Sequence, residues 1–314
     1  MRPKVCIVIL NWNGRADTTE CLESLQRTTY PEYKVIVVDN GSSGNDVNIL
    51  REQFGSYIHI IENDKNYGFA EGNNIGIRYA VQNFSPDYLL LLNNDAVVNP
   101  DCVTELVQVA ESDPKLGIAG PKIRFYDAPQ RSEYAGGLIR WWSGAAVKMG
   151  FGQLDKGQFD QTKEVDWVIG CALLIKRELI ERIGLLYPVY FMNWEEVDWC
   201  ARCKKEGYRV VYVPKAVLWH KGGRSSQRVS GMNIYYMTRN RFLFMRRNAT
   251  RLQFVSFLAW FFLRDVLVTT ASLYLQYRDT KSVVTFFKGT RDGIRLSLRR
   301  SDVFLPQTTD SQDV

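Results

Sequence analysis

Short apolar runs alternating with stretches of helical periodicity set the character of the first half of this chain. Val5 to Leu10, Val35 to Val38, Ile58 to Ile61 and Tyr88 to Leu92 are β-branched or leucine-rich and end at polar residues. Such bounded runs predict strands covered on both faces. Between them, Ala16 to Arg27 sets Cys21, Leu22 and Leu25 on one side of a helix, and Asn73 to Val81 reads as another. Strands alternating with helices predict a parallel sheet in an α/β domain. Pro100-Asp101 opens a helix to about Glu111. After it, Gly117 to Gly120, Tyr134 to Trp142, Val165 to Ile175 and Arg209 to Val213 read as mixed strands, and Glu195 to Glu206 as a helix that starts in acids. No internal repeat is visible.

Beyond Gly223 the pattern changes. Arg239, Arg241, Arg246, Arg247 and Arg251 come with no acid among them, and Phe254 to Leu275 is overwhelmingly apolar apart from Arg264-Asp265. Charges at the centre of a spanning helix are costly, and Asp265, Thr269, Ser272 and Gln276 recur at helical spacing. The expectation is an interfacial, membrane-lying helix or helical pair flanked by bases that attract acidic headgroups. The alternatives are a helix buried against the first domain and a full span, for which the segment is long enough. The expected division is 1–225 for a catalytic α/β domain, 226–303 for a basic, aromatic helical region, and 304–314 for a disordered tail.

Charge sharpens this division. Residues 1 to 223 carry 25 Lys and Arg against 28 Asp and Glu, residues 224 to 300 carry 15 against 3, and the last fourteen carry none against 3. The overall net charge of +6 therefore belongs to one C-terminal block, which implies an anionic partner: membrane phosphate, nucleic acid or a pyrophosphate-bearing substrate. The 6 cysteines are scattered and the N-terminus lacks the layout of a secretory signal, so a reducing cytosol is expected. Cys200-x-x-Cys203 has no second pair and reads as two small residues one helical turn apart rather than a zinc site.

The candidate chemistry gathers at strand ends. Leu89 to Leu92 stops at Asn93-Asn94-Asp95, and in open α/β sheets ligands sit beyond the carboxyl ends of strands. Asp95 there is either a helix-cap or turn residue or a ligand for a divalent cation. The second strand ends in Asp39-Asn40-Gly41-Ser42 and the first in Asn11-Trp12-Asn13-Gly14, so three tips offer the hydrogen bonds that a base and ribose need. The loop from Asn66 through Gly68 to Asn73, Asn74 and Gly76 enters a helix whose start favours anions, without the glycine spacing of a dinucleotide fingerprint. Trp194-Glu195-Glu196-Val197-Asp198-Trp199 sets three carboxylates between flat apolar rings, an arrangement that raises a carboxylate toward general-base range. Trp219-His220-Lys221-Gly222-Gly223 suggests a flexible loop carrying an imidazole and an ammonium to a metal-bound pyrophosphate. His59 lies in an apolar strand and has no assigned role.

In this order the motifs Val-Val-Asp-Asn-Gly-Ser, Asn-x-Gly-x-x-x-Gly-Asn-Asn-x-Gly, Leu-Asn-Asn-Asp, Glu-Glu-Val-Asp-Trp and Trp-His-Lys-Gly-Gly resemble glycosyltransferase family 2. The likeness is to its rhamnosyltransferase-like bacterial members, covers residues 4 to 247 and includes Thr238-Arg239-Asn240. The resemblance implies a GT-A fold, in which a Rossmann-like, mostly parallel sheet continues into an acceptor-binding half, and an inverting mechanism with Mg or Mn. It places Asp39 on the pyrimidine base, with Asn11, Asn13, Asn40, Asn66, Gly68, Asn73, Asn74, Asn93 and Asn94 shaping the donor pocket. It makes Asp95 a metal ligand with His220 as a second candidate, Glu196 the base, and Trp167, Gly170 and Trp194 acceptor-side residues. Two departures stand out. Asn93 occupies the place of the first acid of the family's Asp-x-Asp, and Glu196 stands where Asp is usual, so Glu195 or Asp198 are candidates to share its role.

The reading is thus an inverting transferase on the cytoplasmic face of a bacterial membrane. It moves a sugar, first choice rhamnose from dTDP-rhamnose, to a hydroxyl of a lipid-linked or growing surface glycan. UDP-hexose or UDP-N-acetylhexosamine is the alternative donor. The implied partners are the nucleotide sugar, the acceptor and the membrane surface; nucleic acid is not expected, and a homo-oligomer is compatible. A nucleotidyltransferase would instead need a glycine- and base-rich loop after the first strand, where Asn11 to Arg15 supplies little of that. A non-catalytic membrane or nucleic-acid binding module is the other rival, and it predicts indifference to loss of Asp95.

Overall fold

The computed structural model describes residues 2–222, 230–276 and 278–298. Four strands, β1 (Val5–Asn11), β2 (Tyr33–Asp39), β3 (Ile58–Glu62) and β4 (Tyr88–Asn93), pair in parallel in the order β3-β2-β1-β4. Their continuous apolar runs are buried because helices cover the sheet. These are α1 (Arg15–Leu25), α2 (Asp46–Phe54) and α3 (Gly68–Phe84). Gly76 lets α3 lie against the sheet, since a Cβ there would stand 2.4 Å from Val8 and 3.0 Å from Val38.

The second half extends the same sheet with mixed polarity. It comprises β5 (Ala96–Val98), α4 (Cys102–Ser112), β6 (Leu116–Phe125), β7 (Ser132–Tyr134), β8 (Gly137–Arg140), β9 (Ala145–Lys148), β10 (Lys163–Glu164), β11 (Ala172–Lys176), α5 (Arg177–Ile183), α6 (Glu195–Lys205) and β12 (Arg209–His220). β11 runs antiparallel between β4 and β6, β12 is parallel to β6, and ten strands join in all, with β8 and β9 as a separate hairpin. The end of β12 pairs with β5, setting His220 opposite Ala96 and therefore beside Asp95.

Three helical stretches complete the described chain. α7 (Ser230–Asn248) is docked by Asn240, whose buried amide donates to the carbonyls of Tyr190, Met192 and Asn193 at 2.8, 2.9 and 2.8 Å. α8 (Arg251–Trp260) and α9 (Val266–Ala271) are joined by a π-helical turn, Phe261–Asp265, and a second π turn spans Ser272–Gln276. α10 (Thr280–Leu298) packs on α7 through small residues: a Cβ at Gly289 would lie 2.8 Å from the Tyr235 carbonyl, and one at Gly293 2.9 Å from that of Arg239. The division expected at 225/226 and the tail 304–314 lie outside the described residues.

The arginines expected to face headgroups are largely used inside the protein. Arg241 donates to the carbonyls of Ser143 and Gly144 and pairs with Asp265 at 2.6 Å. Arg239 caps the carbonyls of Val189 and Tyr190, and Arg247 stacks 3.9 Å from the centre of the Tyr187 ring. The Asp265 that interrupts the apolar stretch is thus explained by a partner in α7.

Candidate active site

A cavity of about 680 Å³ opens beyond the carboxyl ends of β1 and β4 and is walled on its far side by α6 and β9. The donor-side tips meet as a hydrogen-bonded lattice. Asp39 accepts from Asn11 Nδ2 at 2.7 Å and from Ser42 N and Oγ at 2.9 and 2.6 Å. Asn13, at φ +50°, accepts from Ser43 N at 2.9 Å. Asn40 Nδ2 reaches Asn66 Oδ1 and the Gly68 carbonyl, and its Oδ1 accepts from Asn63 and Tyr67, so one side chain ties the 63–68 loop to the sheet.

Five of the expected donor residues do not line the cavity, Asn13 and Asp39 among them, bonded as they are within the lattice. Asn11 is wholly buried and serves Asp39 rather than the cavity. Asn73 turns back to the Phe69 carbonyl of its own helix, and Asn74 clasps the backbone of Leu186 at 2.8 and 3.1 Å. Nor is the start of α3 open to an anion: the amides of Phe69 and Ala70 both donate to the Phe191 carbonyl, at 2.6 and 3.1 Å. Gly68, at φ +82°, is required there because a Cβ would meet the Phe191 ring at 2.5 Å.

Opposite this lattice lies an acid–imidazole corner. His220 Nε2 stands 3.1 Å from Asp95 Oδ1, while its Nδ1 is 2.8 Å from Glu133 Oε2, and all three residues are buried. Glu133 Oε1 is held by Lys148 Nζ at 3.0 Å. Burial disfavours a charged His220, but the Cys171 sulfur and the carboxylates of Asp95 and Glu133 outweigh it and lift its pKa well above the ordinary imidazole value. Burial also works against the Glu133 carboxylate, yet the bonds from His220 and Lys148 hold its pKa below the usual range. His220 is the last residue of a strand rather than part of a loop. Lys221 does not extend a free ammonium either, being paired with Asp17 at 2.7 Å and Glu20 at 2.5 Å.

Among the described residues no three of His, Cys, Asp and Glu form a metal cage. Asp95 and His220 nevertheless fit a divalent cation, because two ligands about 2.1 Å from an ion and at right angles are about 3 Å apart. The remaining ligands would be oxygens from outside the protein, which suits a hard cation bound with a phosphorylated ligand.

Glu196 forms the facing wall, in the first turn of α6. That helix is entered through Phe191, Asn193 and Trp194 at φ +62°, +67° and +78°, non-glycine residues in the left-handed region held there by the Phe191 clamp and by Asn240. Such strain collects at functional sites. One carboxylate oxygen of Glu196 and one of Glu195 are buried without a hydrogen-bond partner among the described residues. Burial raises the Glu196 pKa above the ordinary carboxylate value, and burial with the neighbouring Glu196 charge raises Glu195 well above it. Asp198 is not available to share the chemistry: it is buried away from the cavity and held by Arg202 at 2.8 Å, Asn248 at 2.8 Å and Tyr190 at 3.1 Å.

Trp167, Gly170 and Trp194 line the cavity beside Glu196, as do Asn40, Asn66, Gly68, Asn93, Asn94 and Asp95. A Cβ on Gly170 would stand 3.3 Å from the Phe69 ring. The sequence reading missed Glu133, Lys148, Phe125 and Phe151, which also face the cavity. No local signal marked Glu133, a single acid in an ordinary Arg-Ser-Glu-Tyr stretch; only the pairing of β7 with β6 brings it to His220.

Residues 6–184 match the family model described as glycosyl transferase family 2. The chain is 28% identical over 249 residues to the low-salt glycan biosynthesis hexosyltransferase Agl10 of Haloferax volcanii, covering 77% of this chain and 76% of that one. It is 24% identical over 311 residues to the dTDP-rhamnosyl transferase RfbF of Shigella flexneri, covering 94% and 97%. Among solved structures, the mannosyltransferase PcManGT of Pyrobaculum calidifontis, in complex with GDP-Man and Mn2+, superposes with a TM-score of 0.59 at 17% identity, over 94% of this chain and 88% of that one. That likeness shows the fold, a GT-A sheet.

Proposed function

The chain belongs to glycosyl transferase family 2 and is a nucleotide-sugar-dependent glycosyltransferase, and from that premise we propose a mechanism and a substrate class. The observation that carries the proposal is the cavity itself. Glu196, one of whose carboxylate oxygens is buried without a hydrogen-bond partner among the described residues, lines the same cavity as the Asp95–His220 corner. A base across one void from a corner that would hold a cation is what a single in-line displacement requires.

In this reading Glu196 takes the proton from the acceptor hydroxyl as that oxygen attacks the anomeric carbon, and the bond to the nucleoside diphosphate breaks with inversion. Burial raises the basicity of Glu196, which suits proton removal near neutral pH. Asp95 and His220 would hold Mg2+ or Mn2+, and the ion would supply positive charge against that developing on the diphosphate. Asp39, Asn40 and Asn66 order the nucleoside end, and Trp167, Gly170 and Trp194 shape the acceptor end. Rhamnose from dTDP-rhamnose is the proposed donor, supported by the full-length likeness to a dTDP-rhamnosyl transferase. UDP-hexose and UDP-N-acetylhexosamine are the alternatives.

The proposed acceptor is a hydroxyl on a lipid-linked or growing surface glycan, met at the cytoplasmic face of the membrane. The support is the segment Arg251–Leu275, long and apolar enough to cross a membrane by length and composition, whose outward residues include Leu252, Leu263 and Leu267 at 84%, 76% and 65% exposure. Thermal shift with a panel of nucleotide sugars and Mn2+ tests the donor. Stabilisation by dTDP-rhamnose above all others is expected, and an equal or larger shift with a UDP sugar would replace that donor.

A further inference from the structure

Glu133 is the buried acid that the mechanism above leaves without a task. It lies on the short edge strand β7 at 4% exposure, with its two oxygens divided between His220 Nδ1 and Lys148 Nζ. An acid so placed is costly unless it is paired on both sides. Here the pairing has a direction. Nδ1 is the nitrogen engaged by Glu133, so Nε2, on the Asp95 side, is the one a cation would take, with the remaining proton on Nδ1, the tautomer a ligand must adopt. Asn93 Nδ2 approaches the same Nε2 only to 3.5 Å, and an amide adds no negative charge there.

We infer that Glu133 is the positioning residue of the metal corner: it fixes the His220 ring for coordination and supplies from behind that ring the negative charge that Asn93 does not supply from the front. This rests on the reading of Asp95 and His220 as metal ligands. Lys148 has a defined part, because it restrains the second Glu133 oxygen and keeps the carboxylate on the imidazole. The competing view is a strut that merely ties β7, β9 and β12 together. Losing a strut lowers stability and leaves metal affinity alone, whereas losing a carboxylate behind a metal-bound histidine weakens metal binding by about 10- to 100-fold.

The test is Mn2+ titration of the full chain in the presence of saturating UDP, and separately dTDP, with free Mn2+ read by electron paramagnetic resonance. Glu133→Gln should bind Mn2+ about 10- to 100-fold more weakly; its metal-free melting temperature falls under either view and serves only to show that the variant is folded. Adding Asn93→Asp to Glu133→Gln should recover more affinity than Asn93→Asp gains in the parent, since the two acids serve one corner. Unchanged Mn2+ affinity in Glu133→Gln overturns the inference while leaving the metal corner intact. Parent-like Mn2+ binding by Asp95→Ala overturns the corner itself, and this role with it. A further readout needs no variant: with only 2 histidines in the chain, ring 15N spectra with Mg2+ and UDP should show the His220 proton on Nδ1. A proton on Nε2 in that complex would refute the assignment.

Discussion

Glu195 and Glu196 are neighbours in one helical turn, yet their settings separate them. Glu196 is part-exposed on the cavity wall, whereas Glu195 is buried and carries the stronger upward shift. Glu196→Gln is therefore expected to keep donor binding and lose transfer by about 100-fold or more, the usual worth of a placed base; a normal turnover number would sink the assignment. The pH dependence follows from the direction of the shift. Only the deprotonated carboxylate can accept the proton, so transfer should fall as pH drops through the raised Glu196 pKa, giving an acidic limb above the ordinary carboxylate range. Glu195 bears on stability with a definite sign. Its folded pKa exceeds its unfolded one, so the stability it contributes is present below the unfolded value and is lost as pH rises through the folded value. Glu195→Gln should thus raise the melting temperature at pH 8 and leave it nearly unchanged at pH 4. Asp95, His220 and Glu196 draw notice in the sequence because each stands at an abrupt change from apolar to polar, and the structure brings all three to one cavity. Asp198 and Asn74 gave the same signal, and only packing reveals that they are fully occupied in holding the fold.

At the level of elements, the parallel half was readable because each buried strand is an unbroken apolar run. The strand expected over Arg209 to Val213 stops short of Pro214, and a proline is unusual inside a central strand. The structure absorbs it in a bulge between Val213 and Val217, after which the strand continues to His220 and completes the Asp95–His220 corner. β5 has three residues and is too short for periodicity to register, although it fixes His220 beside Asp95. The C-terminal helices show the opposite case, where charge was visible and its partner was not. Arg241 and Asp265 have side chains only 17% and 14% exposed, so removing one partner leaves an enclosed charge. Asp265→Ala is expected to cost about 3 kcal/mol in denaturant unfolding, and pairing it with Arg241→Met should recover most of that loss. Equal destabilisation in the single and double variants would show that the pair is not the cause.

For the whole molecule, the helical stretch from Arg251 to Leu275 is amphipathic in the inverted sense. Asp265 points inward to Arg241, and Phe257 and Phe261 pack with Phe242, while Leu252, Val255, Phe262, Leu263, Leu267 and Leu275 face outward. An apolar row of this length is rare on a surface that meets only water. Val284 and Phe287 on α10 are likewise exposed, and Lys281, Lys288, Arg291 and Arg295 of the same helix are exposed bases. Apolar side chains rimmed by bases match an acidic lipid surface. Deleting the segment would be a poor test, since it would also strip Phe257 and Phe261 from the core and leave Arg241 without Asp265. Leu263→Glu with Leu267→Glu avoids that, because both side chains project away from the fold. Each leucine withdrawn from lipid forfeits about 1.5 kcal/mol or more, so co-sedimentation with anionic vesicles should weaken by about 100-fold. The melting temperature and the nucleoside diphosphate affinity should not change. Undiminished sedimentation by this variant would remove the membrane from the proposed function, and transfer to a water-soluble glycan acceptor would then be the reaction to examine.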